Sequence, residues 1–134
     1  GGQQGDLYIF VNVNEHEIFS REENHLFAEI PFSMIDATIS GTVEIPTIDG
    51  GKARLKIPEG TQTGDQFRLK SKGMPNVRNG SLGDLYVQAK VETPVNLNKK
   101  QIEILKSFKE LSNDNDSPLK NSFFKKAKKL WDKK

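Results

Sequence analysis

The 134-residue chain contains no cysteine and only two histidines. Without cysteine it can form neither a disulfide scaffold nor a thiolate zinc site, and it has no cysteine nucleophile. Two histidines provide little material for a transition-metal site. No apolar run approaches the roughly 20 residues that a transmembrane helix requires. We therefore predict no metal site, no cofactor and no transmembrane helix.

Sequence motifs for catalysis are also absent. The stretch Gly60–Gly64 lacks the Gly-Lys-Ser/Thr ending of a phosphate-binding loop, and no Gly-x-Ser-x-Gly elbow occurs. His16 and His25 are nine residues apart, without a paired carboxylate and histidine spacing around them. Because the remaining carboxylates are scattered singly, no catalytic residue is predicted, and the chain is interpreted as non-enzymatic.

The charges are unevenly distributed along the chain. The net charge is +2, but residues 115–134 hold seven lysines against two aspartates, while the remaining residues hold 13 basic and 16 acidic groups. A basic tail could bind nucleic acid or anionic lipid. Its lysines, however, follow the polar side of an amphipathic pattern, so a solvated helix face is the simpler interpretation.

Strands are predicted over most of residues 6–95. Apolar and polar residues alternate with a period of two over 7–13 and 25–32, which is typical of strands. The second run places alternate residues on one face: Leu26, Ala28 and Ile30. Pro31 is expected to end its regular pairing. Further strands are predicted at residues 42–46, 52–57, 66–70 and 84–92.

Turn residues between these runs indicate the fold class. Gly50, Gly60 and Gly64 stand where a positive φ is expected. Ser33 is a plausible N-cap for a short helix that Gly41 would stop. Strands about ten residues apart with Gly and Pro between them are typical of an antiparallel sandwich. The predicted fold is mainly β: a small antiparallel β-sandwich with one short helix, followed by C-terminal amphipathic helices.

Two amphipathic helices are predicted after Pro94. Asn98 can cap the first, which runs to about Leu111, and residues 112–118 form a breaker before the second, over 122–132. An exposed aromatic stripe on the second helix is unfavourable. The stripe would fold back on the body, lie on a membrane or pack on another chain, and another protein surface is favoured.

Several motifs resemble a known family. Residues 57–75 read Ile-Pro-Glu-Gly-Thr-Gln-Thr-Gly-Asp-Gln-Phe-Arg-Leu-Lys-Ser-Lys-Gly-Met-Pro, Gly-Asp-Leu-Tyr occurs at 5–8 and again at 83–86, and Glu-Ile-Pro-Thr-Ile-Asp-Gly occupies 44–50. Together they resemble the C-terminal region of the DnaJ co-chaperone family over nearly the whole chain. Gly51 makes the hairpin after Asp49 slightly longer than is usual in that family.

The resemblance implies a domain organisation. Residues 1–15 would be the last strand of a missing preceding β-domain, 16–96 a client-binding β-sandwich and 97–134 a helical dimerisation segment. The chain has no His-Pro-Asp tripeptide, so it is not expected to stimulate an Hsp70 ATPase, and it has no Cys-x-x-Cys repeat for zinc. The strand at 6–13, lacking its domain, is expected to fray or pair with a neighbouring molecule.

The resemblance also implies a function. The chain would be a cytoplasmic co-chaperone fragment that binds unfolded or partly folded polypeptide weakly through an apolar strand-edge groove. It would join two copies of a parent protein that works with an Hsp70-type chaperone. The implied client-binding residues are Ala28, Ile30, Val43, Ile45 and Tyr86. The implied dimerisation residues are Ile102, Leu105, Phe108, Phe123, Phe124, Leu130 and Trp131.

Three alternatives remain open at the level of sequence. The five client-binding residues could be ordinary sandwich core. The fragment could be a purely structural dimerisation module, with clients bound elsewhere. It could also be a DNA-associated relative, although the acidic body would repel phosphate and leave only a short basic tail. Membrane binding is not expected.

Overall fold

A computed structural model describes residues 16–133 of the chain. The strand predicted over residues 7–13, and the part of a preceding domain assigned to 1–15, lie outside the described residues. The chain divides into two compact units, Gly1–Pro94 and Val95–Lys134.

Strands dominate the described part of the first unit. In chain order the elements are β1 (Ser20–Glu22), β2 (His25–Ser33), α1 (Met34–Ile39), β3 (Gly41–Pro46), β4 (Lys52–Ile57), β5 (Gln66–Leu69) and β6 (Leu85–Glu92). The strands form a four-stranded sheet in the order β1-β2-β6-β5 and a two-stranded sheet of β3 and β4. The predicted mainly-β fold with one short helix is confirmed.

The central pair of the larger sheet is parallel. Leu26 pairs with Leu85 and the register continues to Ser33 and Glu92, whereas β1–β2, β3–β4 and β5–β6 are antiparallel. The expectation of purely antiparallel pairing is therefore wrong for β2 and β6. Alternating hydrophobicity marks a strand and its buried face, but it does not encode the direction of the neighbouring strand.

Pro31 does not end β2, contrary to the prediction. It lies opposite Lys90 in the register, and β2 continues to Ser33. The Leu26 amide donates to the carbonyl of Asp84 just before β6, so it points toward β6. Because the backbone groups of successive strand residues point to opposite edges, the nitrogen of Pro31, five residues later, points toward the β1 side. The β1 ladder stops at Phe27. Proline is tolerated here because its missing N–H faces the side without that ladder.

The hydrophobic core lies between the two sheets. Alternate residues of β2 and β6 are buried, and they share one cluster with Ile45 of β3 and Ile57 of β4. The β2 and β6 members are Leu26, Ala28, Ile30, Phe32, Leu85, Val87 and Ala89. Since successive strand residues point to opposite faces, the other half of β2 and β6 forms the outer face of the large sheet.

The local signals for turns and for α1 are confirmed. Gly50, Gly60 and Gly64 all have positive φ, between 76° and 96°. The Ser33 hydroxyl accepts a hydrogen bond from the Asp36 amide at 3.1 Å, which caps the first turn of α1.

The second unit contains two helices, α2 (Lys99–Leu111) and α3 (Pro118–Asp132), with a short 3₁₀ turn at Asp114–Asp116 between them. Asn98 caps α2 reciprocally with Gln101, as its position predicts. Helix α3 begins at Pro118 rather than at Ser122. Proline fits the first position of a helix, because an N–H group there would make no hydrogen bond within the helix. None of the described helices is long and apolar enough to span a membrane.

Candidate functional site

Two aromatic rings lie side by side on the outer face of the large sheet. Phe27 of β2 and Tyr86 of β6 are register partners, and their rings stack with centroids 5.2 Å apart and planes 16° from parallel. Ser20 pairs with Phe27 on one side and Arg68 pairs with Tyr86 on the other. This row crosses all four strands, with the half-buried aromatic pair at its centre.

A cavity of about 330 Å³ opens beside this pair. Its apolar lining comes from Ile18, Phe19, Phe27, Ala28 and Tyr86, and Glu17 and Glu29 also line it. Phe19 and Ala28 are buried, whereas Ile18 is 46% exposed. We call this cavity the outer-face groove. It offers apolar and aromatic surface to a ligand on a face that a β-sandwich usually leaves polar.

One wall of the outer-face groove is the segment before β1. The Nδ1 atom of His16 accepts a hydrogen bond from the Ile18 amide at 3.0 Å and from the Phe19 amide at 3.4 Å. The His16 ring also packs on Phe19, with centroids 5.1 Å apart. These contacts fold the segment into a turn that inserts Phe19 into the core and leaves Ile18 at the groove.

Asp84 anchors the other side of the aromatic pair. Its carboxylate accepts from Arg68 Nε at 2.6 Å and from the Ser71 amide at 2.9 Å. The backbone hydrogen bond from Ser71, followed by the bond from Arg68, lowers the pKa of Asp84. The Asp84 amide donates to His25 Nδ1 at 3.0 Å, and the His25 ring meets Tyr86 edge-on at 5.7 Å. Asp84 thereby ties β5 and β2 to the start of β6.

Among the residues that the structure describes, the edge of β2 next to the groove has no strand partner beyond β1. Within residues 16–133, the β1 ladder covers only His25 to Phe27. By the alternation of backbone groups, the amide and carbonyl of Glu29 point to this edge. An extended segment could add there as a further strand, with its side chains reaching the outer-face groove.

The five predicted client-binding residues do not share one surface. Ala28, Ile30 and Ile45 are buried in the core, and Val43 is half-buried against it. Tyr86 lies on the opposite face of the sheet, in the groove. Ala28 also lines the groove from beneath. The groove lining also includes Glu17, Ile18, Phe27 and Glu29, which the sequence did not mark as site residues. The signal for Phe27 is a large aromatic side chain at a solvent-facing position of β2.

The predicted dimerisation residues lie on the two helices of the second unit. Leu105 is half-buried, and the other six are exposed, including Trp131 at 61% and Leu130 at 68%. The rings of Phe123 and Phe124 meet edge-on with centroids 5.0 Å apart. Six large apolar side chains exposed on two helices are typical of a surface that binds another protein.

No three His, Asp or Glu side chains among residues 16–133 stand close enough to hold a metal ion.

Comparison with protein families agrees with the architecture of both units. The family described as "DnaJ C terminal domain" matches residues 1–94, and the "Chaperone protein DnaJ C-terminal region" matches residues 100–133. The chain belongs to the DnaJ C-terminal domain family. The two matches meet close to the boundary between the two units, at Pro94.

Curated relatives carry the same family name. The chain is 54% identical to the "Chaperone protein DnaJ" of Pelagibacter ubique over 98% of its length, and 52% identical to that of Ruegeria sp. over the same share. These matches cover 35% and 34% of the two relatives. The chain thus spans about a third of the DnaJ proteins that it resembles.

Proposed function

We propose that this chain is a non-enzymatic co-chaperone module that binds unfolded or partly folded polypeptide and joins two copies of its parent protein. The parent would act with an Hsp70-type chaperone. Membership of the DnaJ C-terminal domain family and the names of the curated relatives support a chaperone role. The observation that carries client binding is the outer-face groove, where the Phe27–Tyr86 pair lies beside a stretch of β2 that the β1 ladder, within residues 16–133, does not reach.

The groove and the strand edge suit loosely specific binding. Main-chain hydrogen bonds to the edge of β2 beyond Phe27 would tolerate any client sequence except proline at the donor positions. The apolar lining would then favour clients with aromatic or aliphatic side chains. In this proposal Tyr86 and Ala28 contact the client, whereas Ile30, Val43 and Ile45 act from the core by holding the sheet in shape.

A titration with an apolar peptide tests the client site. We expect millimolar peptide to change the chemical shifts of Ile18, Phe27 and Tyr86, with smaller changes transmitted to Ile30 and Ile45. Tyr86→Ala should weaken these changes severalfold. Ile39→Ala removes an apolar side chain that is 65% exposed on α1 and outside the groove lining, and it should have no effect. Unchanged shifts throughout the sheet would contradict client binding here.

The helices of the second unit carry the dimerisation proposal. Burying Phe123, Phe124, Leu130 and Trp131 contributes roughly 6–12 kcal/mol in total, at about 1.5–3 kcal/mol each. Association costs about 4–15 kcal/mol. Helix α3 alone therefore supports only a weak dimer, and a stable one needs a receiving apolar surface, such as the stripe of Ile102, Leu105 and Phe108 on α2. A two-fold arrangement is the simplest closed assembly.

A purely structural role is the alternative that one observation favours. Three of the five residues that the family resemblance assigns to client binding are buried in the core, which fits a scaffold that carries a dimerisation segment and binds no client. The peptide titration separates the two functions, because a scaffold would dimerise normally and leave the groove unperturbed.

A further inference from the structure

We propose that Asn79 is a modification site, at which the side-chain amide converts to a carboxylate by intramolecular attack of the Gly80 nitrogen, assisted by Ser81. Asn79 and Gly80 lie in the loop between β5 and β6, and both are exposed. The chain contains no other Asn-Gly pair. The inference concerns the chemistry of this loop, so it depends on neither client binding nor dimerisation.

Two donors from Ser81 converge on one oxygen of the Asn79 side chain. The Ser81 amide donates to Asn79 Oδ1 at 3.0 Å, and the Ser81 hydroxyl donates to the same oxygen at 2.7 Å. A hydrogen bond from the amide two residues later folds the Asn79 side chain over the peptide bond to Gly80. The Cγ atom of Asn79 is thereby held beside the Gly80 nitrogen. Both donors stabilise the negative charge that develops on Oδ1 during attack.

Gly80 leaves its nitrogen open to solvent. Its φ is 72°, and a Cβ atom built on it would meet nothing within 4 Å. Any other residue would place a side chain beside the attacking nitrogen and would be strained at this φ. The Gly80 amide donates to the carbonyl of Asn76 at 2.8 Å, so this hydrogen bond must open before the attack. At the exposed tip of a loop, such opening is local and does not require the sheet to unfold.

The reaction consumes water and releases ammonia. The Gly80 nitrogen loses its proton to hydroxide and forms a bond to Asn79 Cγ. The bond between Cγ and Nδ2 then breaks, and Nδ2 takes up a proton from water and leaves as ammonia, which gives a cyclic succinimide. Water opens this ring at either carbonyl. Opening at Cγ gives aspartate, whereas opening at the backbone carbonyl gives isoaspartate, in which the main chain runs through the former side chain.

Asn76, in the same loop, is an internal control. Its Oδ1 atom accepts a hydrogen bond from the Arg78 amide at 2.8 Å, so its side chain has the same local fold as that of Asn79. The residue that follows it, however, is Val77. A β-branched side chain crowds the nitrogen that would attack. We therefore expect Asn76 to stay unmodified while Asn79 reacts.

Asp49 also precedes a glycine, but its side chain is the wrong electrophile. Hydrogen bonds from the Thr47 hydroxyl and the Gly51 amide lower the pKa of Asp49 and keep it ionised. An ionised carboxylate resists attack by a nitrogen nucleophile, because it already carries negative charge. The Asp49-Gly50 turn should therefore react much more slowly than the Asn79-Gly80 turn.

Isoaspartate would lengthen the main chain inside a closed loop. The Asn76 amide donates to the Ser81 carbonyl at 2.7 Å, and Pro75 forms an isolated bridge with Leu82. Isoaspartate at position 79 adds one atom to the main chain between Asn76 and Ser81, which disrupts this closure. The loop tip therefore opens in modified chains, while the two sheets, which do not include it, keep their pairing.

Incubation of the full chain in mildly alkaline buffer tests the site. Peptide mapping by mass spectrometry should show the replacement of NH by O at Asn79, with aspartate and isoaspartate as products. In water labelled with heavy oxygen the product should carry the label, which separates it from earlier conversion. A synthetic peptide of residues 71–84 provides the unfolded reference. If Asn79 stays unmodified in the chain after this peptide has reacted, folding protects the amide and the proposal is overturned. Conversion of Asn76 at the same rate would also overturn it.

Variants of Ser81 test the assistance. Ser81→Ala removes the hydroxyl donor and should slow the conversion roughly two- to tenfold, the range expected for one hydrogen bond. Ser81→Thr keeps a hydroxyl and should convert at the original rate. In the synthetic peptide, which does not hold these hydrogen bonds, Ser81→Ala should change the rate much less. An unchanged or faster rate in the Ser81→Ala chain, or an equal slowing in the peptide, would overturn the role of Ser81.

Discussion

A Cβ atom placed on Gly83 would overlap the carbonyl oxygen of Asn24. The same oxygen accepts a hydrogen bond from the Met74 amide at 2.8 Å, so it is fixed in place. Gly73, where a Cβ would lie 2.6 Å from this oxygen, approaches it almost as closely. These glycines let the long loop before β6 dock on the turn before β2, which sets the pairing of Leu26 with Leu85.

Gly83→Ala should destabilise the first unit. The added methyl group would collide with a backbone carbonyl that cannot move without losing the Met74 hydrogen bond. Overpacking of this kind costs roughly 1–3 kcal/mol, and a collision with backbone belongs at the upper end. Urea unfolding monitored by far-UV circular dichroism measures the loss. Val77→Ala, at a site 91% exposed in the same loop, should change stability by less than about 0.5 kcal/mol. Equal midpoints for the two variants would contradict the close approach.

Ile45→Ala should act through stability. Ile45 is fully buried in the cluster that joins both sheets, and truncating such a side chain costs roughly 2–5 kcal/mol. Ile45→Val should cost roughly 0.5–1.5 kcal/mol and leave a folded domain in which peptide affinity can be measured. We expect that affinity to match the unaltered chain. A large loss of affinity in folded Ile45→Val would instead place Ile45 in contact with the client.

The lowered pKa of Asp84 predicts a loss of stability in acid. Hydrogen bonds from Ser71 and Arg68 hold the folded-state pKa below the ordinary value of 3.8. A carboxyl group whose pKa is lower in the folded state than in the unfolded state stabilises the folded state at pH values above the unfolded-state pKa. This contribution disappears as the pH falls through the folded-state pKa. The stability difference between the unaltered chain and Asp84→Asn should therefore shrink from pH 7 to pH 3 in urea titrations. Glu59→Gln is the control, and a difference independent of pH would contradict the assignment.

Trp131→Ala should weaken the proposed dimer. Central aromatic side chains at interfaces commonly contribute more than 1 kcal/mol, and we expect a loss of roughly 1–3 kcal/mol in the dimerisation free energy. Sedimentation velocity over a concentration series measures it. Deleting residues 119–134 should give a folded monomer with the sandwich intact. Moderate salt should leave the dimer assembled, because the lysine face of the helix stays in water. A full chain that is monomeric at tens of micromolar, or a deletion variant that is still dimeric, would refute this assignment.

Local patterns in the sequence are enough to predict most of the strands and helices. Alternation around Leu26 marks β2 and its buried face correctly, and Asn98 marks the start of α2. Strand β1 escaped prediction because its three residues are all exposed and too few to show a period. The parallel pairing of β2 with β6 also escaped, since it depends on how the intervening chain returns to the sheet.

The groove was harder to predict than the fold. The alternation of apolar and polar residues that predicts β2 also places Ala28 and Ile30 on its core-facing side. A client site built on these two residues therefore conflicts with that pattern, because core-facing side chains are not accessible to a client. The resemblance to the family supplied the residues without their orientation. Phe27 and Tyr86 come from strands that are distant in sequence, and only the parallel register brings their rings together.

The parallel register also has a consequence for the order of events in folding. The hydrogen bond between Asp84 and His25 joins residues 59 positions apart, and β2 lies at the centre of the sheet with β6 as its main partner. Closing so long a loop is entropically costly, and contacts between distant residues slow folding. During synthesis, the edge of β2 that pairs with β6 has no hydrogen-bonding partner until residues 85–92 have left the ribosome. We therefore expect the first unit to fold late and in one cooperative step.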